Sequence, residues 1–381
     1  MSRAENVIIV GDPKQMPPTN FFNGNKVDED NVHVEDLESL LEDCLAASMP
    51  QRYLSCHYRS QSESLIAFSN MNYYDSKMMT FPAPTDLVSK VTFTHIEGTY
   101  DRGATRTNEA EANVIVKAIE ERLRSGDTKT TIGVITFNMT QSNLIEDKLQ
   151  ALLDSDKDLR EAADAMSESM FVENLENVQG DGRDCIYFSI TYGPDENGRV
   201  FQNYGPLGQQ GGWRRLNVAV SRARKEMHII STLQASDIAV HTKTAEGVRG
   251  LRDFIQYAQM GRLPQTVVAD SQQDFLTERI AEYVKSLGYD VRTNVGTSQF
   301  KIPLAVVKPN SSDTFGCAIL IDNTNYAKLP TMRDRNALVP GVLGRMGWPM
   351  YRIWTIDWFE DLKGEQERLR RYLVESLGDV R

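Results

Sequence analysis

Four short stretches set polar and charged side chains at the ends of expected strands and helices, where ligands bind in α/β sheets. The first, VIIVGDPKQMPP, runs from Val7 to Pro18. Four β-branched apolar residues end at Gly11, so a buried strand is expected. Asp12, Lys14 and Gln15 come just past its carboxyl end, where open α/β sheets place their ligands. A strand-ending turn accounts for Gly11 and Pro13 but leaves Gln15 unexplained. The second stretch, SCHYRSQSESLIAFSNMNYYDSKM, sets Tyr58 and Arg59 before a helix that ends in a Tyr-Tyr pair. Guanidinium is a planar, permanently charged donor that fits phosphate. The third, LENVQGDGRDCIYFSITYG, puts Gln179, Gly180 and Asp181 ahead of a buried strand. The fourth, GGWRRLNVAVSRARKEMHII, crowds Arg214, Arg215, Arg222 and Arg224 onto an expected helix over 214–225. Arg215 and Arg222, seven apart, share one face of it. Two cations on one face repel unless an anion sits between them.

The elements around these stretches alternate. Strands are expected at 91–96, in TIGVITF, MFVENL, DCIYFSIT and MHIIST, and helices at 35–47, 62–72, 108–125 and 141–153. Asn108 is placed to cap its helix, and Ala112, Val116, Ile119 and Leu123 keep the helical period. Such alternation predicts a parallel sheet with helices on both faces. The pattern loosens over 235–264. A second αβββαβ unit then begins at Ser271 and closes on a charged helix, Leu362 to Leu377.

Composition narrows the class. With 40% hydrophobic and 25% charged residues the chain is ordinary for a globular protein of two or three domains. No apolar run approaches the roughly 20 residues that span a bilayer, and no secretory signal opens the chain, so no membrane partner and a cytoplasmic location are expected. Cys44, Cys56, Cys185 and Cys317 are scattered, which argues against zinc and disulfides. A net charge of −11 excludes a uniformly basic coat but leaves room for a local basic groove.

In order and spacing, the four stretches resemble the later motifs of superfamily 1 helicases, most of all the branch related to the nonsense-decay helicase. The resemblance covers about Val7 to Leu233. It implies a RecA-like α/β fold, the P-loop NTPase sheet of a second motor domain, preceded by the tail of the first. No G-x-x-x-x-G-K-[ST] occurs in the chain, so the resemblance implies a fragment or split product whose phosphate cradle lies on a missing amino-terminal motor domain. ATP and Mg2+ belong to the complete enzyme, and no cofactor and no appreciable ATPase are expected of this chain alone. The resemblance gives Gln15 the sensing of the γ-phosphate and makes Arg59 and Arg222 arginine fingers. It puts Gln179, Gly180 and Asp181 near ribose and the nucleic-acid backbone. Gly11, Asp12, Tyr58 and Arg215 complete the nucleotide side. Relatives usually carry glutamate where this chain has Gly182.

From about Ser271 to Leu377 the chain looks like the small restriction-endonuclease-like domain at the end of such helicases, similar to very-short-patch repair nucleases, through RDR…GW…RIW. Active relatives bind magnesium through an aspartate and a glutamate. Here Pro303 and Leu320 stand near those places, leaving Asp322 and Glu278 as weak metal candidates. Two hard-oxygen ligands make a poor magnesium site. The boundaries expected are 1–30 for the first motor tail, 31–235 for the second motor domain, 236–270 for a linker and 271–381 for an inactive nuclease-like domain. The leading reading is the carboxy-terminal portion of an ATP-dependent helicase acting on single-stranded DNA or RNA. A non-catalytic nucleic-acid-binding or regulatory module and a metal-dependent nuclease remain open.

Overall fold

The computed structural model describes residues 7–16, 40–261 and 274–379. Helix α1 is Leu40–Ala46; the rest of the acidic helix expected from 35 lies outside the described residues. Then come α2 (Ser64–Tyr73), β1 (Val91–His95), α3 (Glu109–Arg124), β2 (Ile132–Thr136), α4 (Met139–Ser155), α5 (Lys157–Asp164), β3 (Phe171–Asn174), β4 (Arg183–Ser189), α6 (Trp213–Val220), β5 (Ala223–Ser231) and α7 (Glu246–Met260). The five strands form one sheet in the order β1-β5-β4-β2-β3, every pairing parallel. β2 and β4 are buried along their whole length, as central strands covered on both faces must be. Ile115, Ile119, Ile145 and Leu159 bring α3, α4 and α5 onto one face. Phe68, Leu216, Leu251 and Phe254 bring α2, α6 and α7 onto the other. Each such side chain contributes about 1.5–3 kcal/mol by leaving water. This is the RecA-like sheet.

Three expectations change. Residues 7–10 join no sheet among the described residues, and Ile8 and Val10 are 89% and 77% exposed. A β-branched run needs neighbouring strands to bury it, and the described residues supply none beside it. The helix expected over 214–225 stops at Val220, because the chain from Ala223 onward is drawn into β5 beside β4. Arg215 and Arg222 therefore do not share a helical face. The segment expected as a linker over 236–270 contains α7, whose Val248, Leu251, Ile255 and Ala258 repeat at helical spacing and are buried in the main core. Residues 262–270 lie outside the described residues.

At the carboxyl rim of the sheet Asn108 caps α3 by accepting from the Glu111 amide at 3.2 Å. Buried Glu111 accepts from Ser189 Oγ (2.5 Å), Thr191 N (2.7 Å) and Thr232 N (2.9 Å), which ties the ends of β4 and β5 to α3. Burial pushes its carboxyl up to about 7 against these donors.

The second unit contains α8 (Phe275–Ser286), β6 (Val291–Val295), β7 (Ile302–Val307), β8 (Phe315–Ile321), α9 (Thr324–Lys328), α10 (Val339–Arg345), β9 (Met350–Ile353), α11 (Thr355–Glu360) and α12 (Leu362–Leu377). Its sheet runs β6-β7-β8-β9, antiparallel except for β8 with β9. Among the described residues no helix is long and apolar enough to cross a membrane.

A strap from the first unit completes the core of the second. Phe81 packs on Phe300 with ring centroids 4.9 Å apart, in one cluster with Ile302, Phe315 and Trp348. Trp348 Nε1 donates to Pro82 O at 2.7 Å, and Phe315 N to Pro84 O at 2.7 Å. Ser298 Oγ both accepts from Thr80 N and donates to Thr80 O, each at 3.0 Å. Buried Glu63 accepts from Thr297 N at 2.9 Å and from the Thr80 hydroxyl. Burial, helped by the charge of Asp86, pushes Glu63 up to about 7.

Two outcomes are expected of this joint. Phe81→Ala empties a shared core and should cost about 3–5 kcal/mol, splitting a single calorimetric transition into two as the units uncouple. Glu63 holds its proton more tightly folded (about 7) than unfolded (4.5). Its contribution is full below about 4.5 and is lost as pH rises through about 7. Thermal melts from pH 5 to pH 8 are expected to fall, and Glu63→Gln to remove roughly half of that fall, with Glu111 retaining the other half.

Candidate functional site

Residues 11–16 are fastened to the unit built on the five-stranded sheet from three sides. Asp12 closes the turn, accepting from Lys14 N at 2.9 Å and from Gln15 Nε2 at 3.0 Å. Its second hydrogen bond to Oδ2 comes from Tyr74 Oη at 2.7 Å, just beyond α2. Burial, then the Asp12 carboxylate, pushes the Tyr74 hydroxyl well above its ordinary value. Asn217 of α6 donates through Nδ2 to Lys14 O (2.8 Å) and Tyr74 Oη (3.1 Å). Gln179 Nε2 donates to Met16 O at 3.1 Å, and Met16 itself is buried in the main core. Gly11 opens the turn against Leu41 of α1.

Arg59 and Arg222 come together. Arg222 is 2% exposed and lies directly after the end of α6. Its Nε donates to Val218 O at 2.8 Å and its Nη1 to Asp181 O at 3.4 Å. These are carbonyls, so the charge has no carboxylate in hydrogen-bond contact. Burial, then the charge of Arg59, pulls its pKa down to about 10. The same two causes, in the same order, pull His57 down to about 4. Arg59 is exposed and held on a loop pinned on both sides: His57 Nε2 accepts from Ser60 N at 3.1 Å, and Gln61 N donates to Arg224 O at 2.7 Å. The charge of Arg59 is felt at Arg222, and no described carboxylate hydrogen-bonds the buried guanidinium, so the pair forms a slot of positive potential that Asp181 only partly offsets. Tyr58 beside them is 92% exposed.

The 179–182 loop supports the slot. Gly180 has φ +103°, a conformation that favours glycine. A Cβ on Gly182 would lie 2.9 Å from Arg222 O, so a glutamate there would displace the arginine's backbone. The backbone here therefore suits glycine rather than the glutamate that the resemblance leads one to expect. Arg215 is already engaged, its Nε 2.5 Å from Glu176 Oε1, and ties α6 to the same loop. Of the residues singled out from sequence, Gln15, Asp12, Arg59, Arg222, Gln179 and Asp181 gather here. Tyr74 and Asn217 were missed; an asparagine set between Leu216 and Val218 on an amphipathic helix was the one signal available for the second.

The metal candidates do not assemble. Glu278 is exposed on α8, which covers the sheet face carrying Leu304, Val306 and Ile319. Leu320 belongs to the opposite cluster. Asp322 Oδ1 accepts from Thr355 N (2.7 Å) and Thr355 Oγ1 (2.6 Å), capping α11. Among the described residues the one group of three ligand types close enough to share an ion is Cys185, Glu226 and His228. Arg122 Nη2 already sits 2.5 Å from Glu226 Oε1 there, so a cation fills the place. The His228 hydrogen bond, then Arg122, holds Glu226 down at about 2.

Comparison with known proteins agrees with this architecture. A family model described as AAA domain (AAA_12) matches residues 37–234, and the model REase_MTES_1575 matches 276–373. An uncharacterized ATP-dependent helicase, MG140, of Mycoplasma genitalium is 29% identical over 98% of this chain and 35% of its own length. Its homolog in Mycoplasma pneumoniae is 33% identical over the same shares. The mouse 5'-3' DNA helicase ZGRF1 is 26% identical over 61% of this chain and 12% of its own length. The chain thus spans about a third of the curated relatives it matches most fully. With the first match covering just over half its length, the chain belongs to the AAA-domain family, in the form found in the carboxy-terminal part of ATP-dependent helicases, with a restriction-endonuclease-like domain behind it.

Proposed function

We propose that this chain supplies the arginine side of the ATP site of a nucleic-acid helicase, completed by a motor domain that carries the phosphate cradle. The observation that carries the reading is the buried Arg222, hydrogen-bonded to carbonyls alone and feeling the charge of Arg59 more strongly than that of Asp181. A triphosphate is the anion such a slot lacks. In phosphoryl transfer the charge spreads over the equatorial oxygens, and two planar cations neutralise it better than one. The Gln15 turn is hydrogen-bonded through Asp12, Tyr74 and Asn217 to α6, two residues beyond which Arg222 follows. Gain or loss of a γ-phosphate at Gln15 would therefore pull on α6 and the 179–182 loop, the part of the chain assigned to the ribose and nucleic-acid backbone. Magnesium would be held by the cradle-bearing domain and would supply neutralisation of phosphate charge there. The exposed 7–10 segment supports the same arrangement, since its unpaired apolar strand suits the edge of a sheet on the partner domain. The boundaries 1–30, 31–235 and 271–381 keep the same division, with α7 belonging to the second motor domain. A cytoplasmic location is part of the same proposal.

The test is ATP turnover by the chain alone and by the chain joined to a P-loop-bearing motor domain from a full-length relative. The chain alone should match a buffer blank. The joined protein should hydrolyse ATP and be stimulated by single-stranded DNA or RNA. Arg59→Ala or Arg222→Ala should then lower kcat by about 10³ or more; full turnover in either variant would overturn the reading. In the isolated chain Arg222→Met removes an uncompensated buried charge and should stabilise it by about 1–3 kcal/mol. The melting temperature should rise by roughly 3 °C or more, and an unchanged or lower value would show that the arginine is structural.

A further inference from the structure

The second domain carries cations that nothing in it neutralises. Lys328, Arg333, Arg335, Arg345 and Arg352 fall within 25 residues that hold one acidic residue, Asp334. None of the five is ion-paired with a described carboxylate. Elsewhere in the same domain Arg292, Arg368 and Arg370 each have an acidic partner at 2.7–2.8 Å. A chain with net charge −11 has acid to spare, so an unpaired cluster is a local feature rather than a matter of composition.

Two of the cations are built in. Arg335 donates from Nε to Leu329 O (2.8 Å) and from Nη2 to Ala327 O (3.1 Å). Arg352 donates from Nη1 to Asn336 Oδ1 (3.2 Å). Both guanidiniums lie over the Tyr326 ring, at 5.3 and 5.8 Å, and Arg352 also lies 4.9 Å from the Trp354 ring. The other two arginines, Arg333 and Arg345, are exposed. Two open hollows flank the helical stretch 334–345. One, of about 350 Å³, is lined by Leu320, Asn336, Pro340, Met350, Arg352 and Trp354. The other, of about 390 Å³, is lined by Arg333, Ala337, Leu338, Gly341 and Arg345. Cations therefore border apolar floors. A duplex keeps its bases inside and has no use for such floors; an unpaired strand puts phosphates on the cations and bases on the apolar and aromatic surfaces.

We propose that this surface binds single-stranded nucleic acid without cutting it, with phosphates on Arg333 and Arg345 and a base against Trp354 beside Arg352. The site is separate from the ATP slot and does not depend on that reading.

The test is fluorescence anisotropy of the full chain with labelled 20-nucleotide oligo-dT and oligo-U in 50–200 mM KCl. Arg333→Ser with Arg345→Ser should weaken binding at least fivefold at 100 mM salt. It should also reduce the slope of log affinity against log salt by about 1.4, two single-strand phosphates' worth. Trp354→Ala should weaken binding about fivefold or more while leaving the slope unchanged. Arg370→Ser with Arg371→Ser removes equal charge from α12 and should change neither quantity. Binding of either oligomer lost in this way supports the proposal, and a preference between them identifies the sugar. Unchanged affinity and slope in the first double variant, an equal loss in the α12 control, absence of binding to both oligomers, or equal affinity for a 20-base-pair duplex would each overturn it. Circular dichroism melts confirm that the exposed-arginine variants remain folded.

Discussion

A buried cation that feels a second cation and hydrogen-bonds no described carboxylate constrains the first domain. Arg222 has lost nearly all contact with water, and its guanidinium rests on the carbonyls of Val218 and Asp181. Carbonyl dipoles soften the burial of a cation but do not neutralise it. Arg59 adds to the cost from an exposed loop. Much of the surrounding geometry serves this pair. α6 must end at Val220 for the Arg222 backbone to turn inward, and residue 182 must lack a side chain for that backbone to approach. The 56–61 loop must be pinned at both ends for Arg59 to stay near.

Around the pair runs a chain of short contacts linking four segments far apart in sequence. Asp12 is the hub on one side and Asn217 on the other, with the Tyr74 hydroxyl between them. Behind them Tyr73 stacks on Trp213 with ring centroids 5.2 Å apart, so α2 and α6 share an aromatic contact as well as a polar one. A shift of the 11–16 turn is thereby resisted by packed elements rather than by loops. This is the kind of linkage through which occupancy at one end of a site alters geometry at the other.

The joint between the domains obeys a different logic. The strap carrying Phe81 is part of the second domain's core, while Glu63, Thr80, Ser298 and Thr297 close the polar layer beside it. Apolar and polar groups are thus buried together at one seam, so the core of the second unit depends on a segment of the first.

Periodicity and composition alone determined the alternation of strands and helices, the parallel sheet, the Asn108 cap and the charged last helix, because hydrophobic spacing reports directly on which face is buried. Guanidinium chemistry at Arg59 and Arg222 pointed to an anion, whereas the part of Gln15 and the lost metal ligands at Pro303 and Leu320 followed only from the family resemblance. Tertiary structure alone decided the rest. Helical spacing put Arg215 and Arg222 on one face, but pairing with β4 pulled Ala223 into a strand and turned Arg222 inward, while Glu176 captured Arg215. The buried strand expected at 7–10 is exposed because burial requires neighbours that this sheet does not provide. The parts played by Tyr74, Asn217 and Phe81 depend on partners more than 60 residues away, and no local pattern reports such contacts.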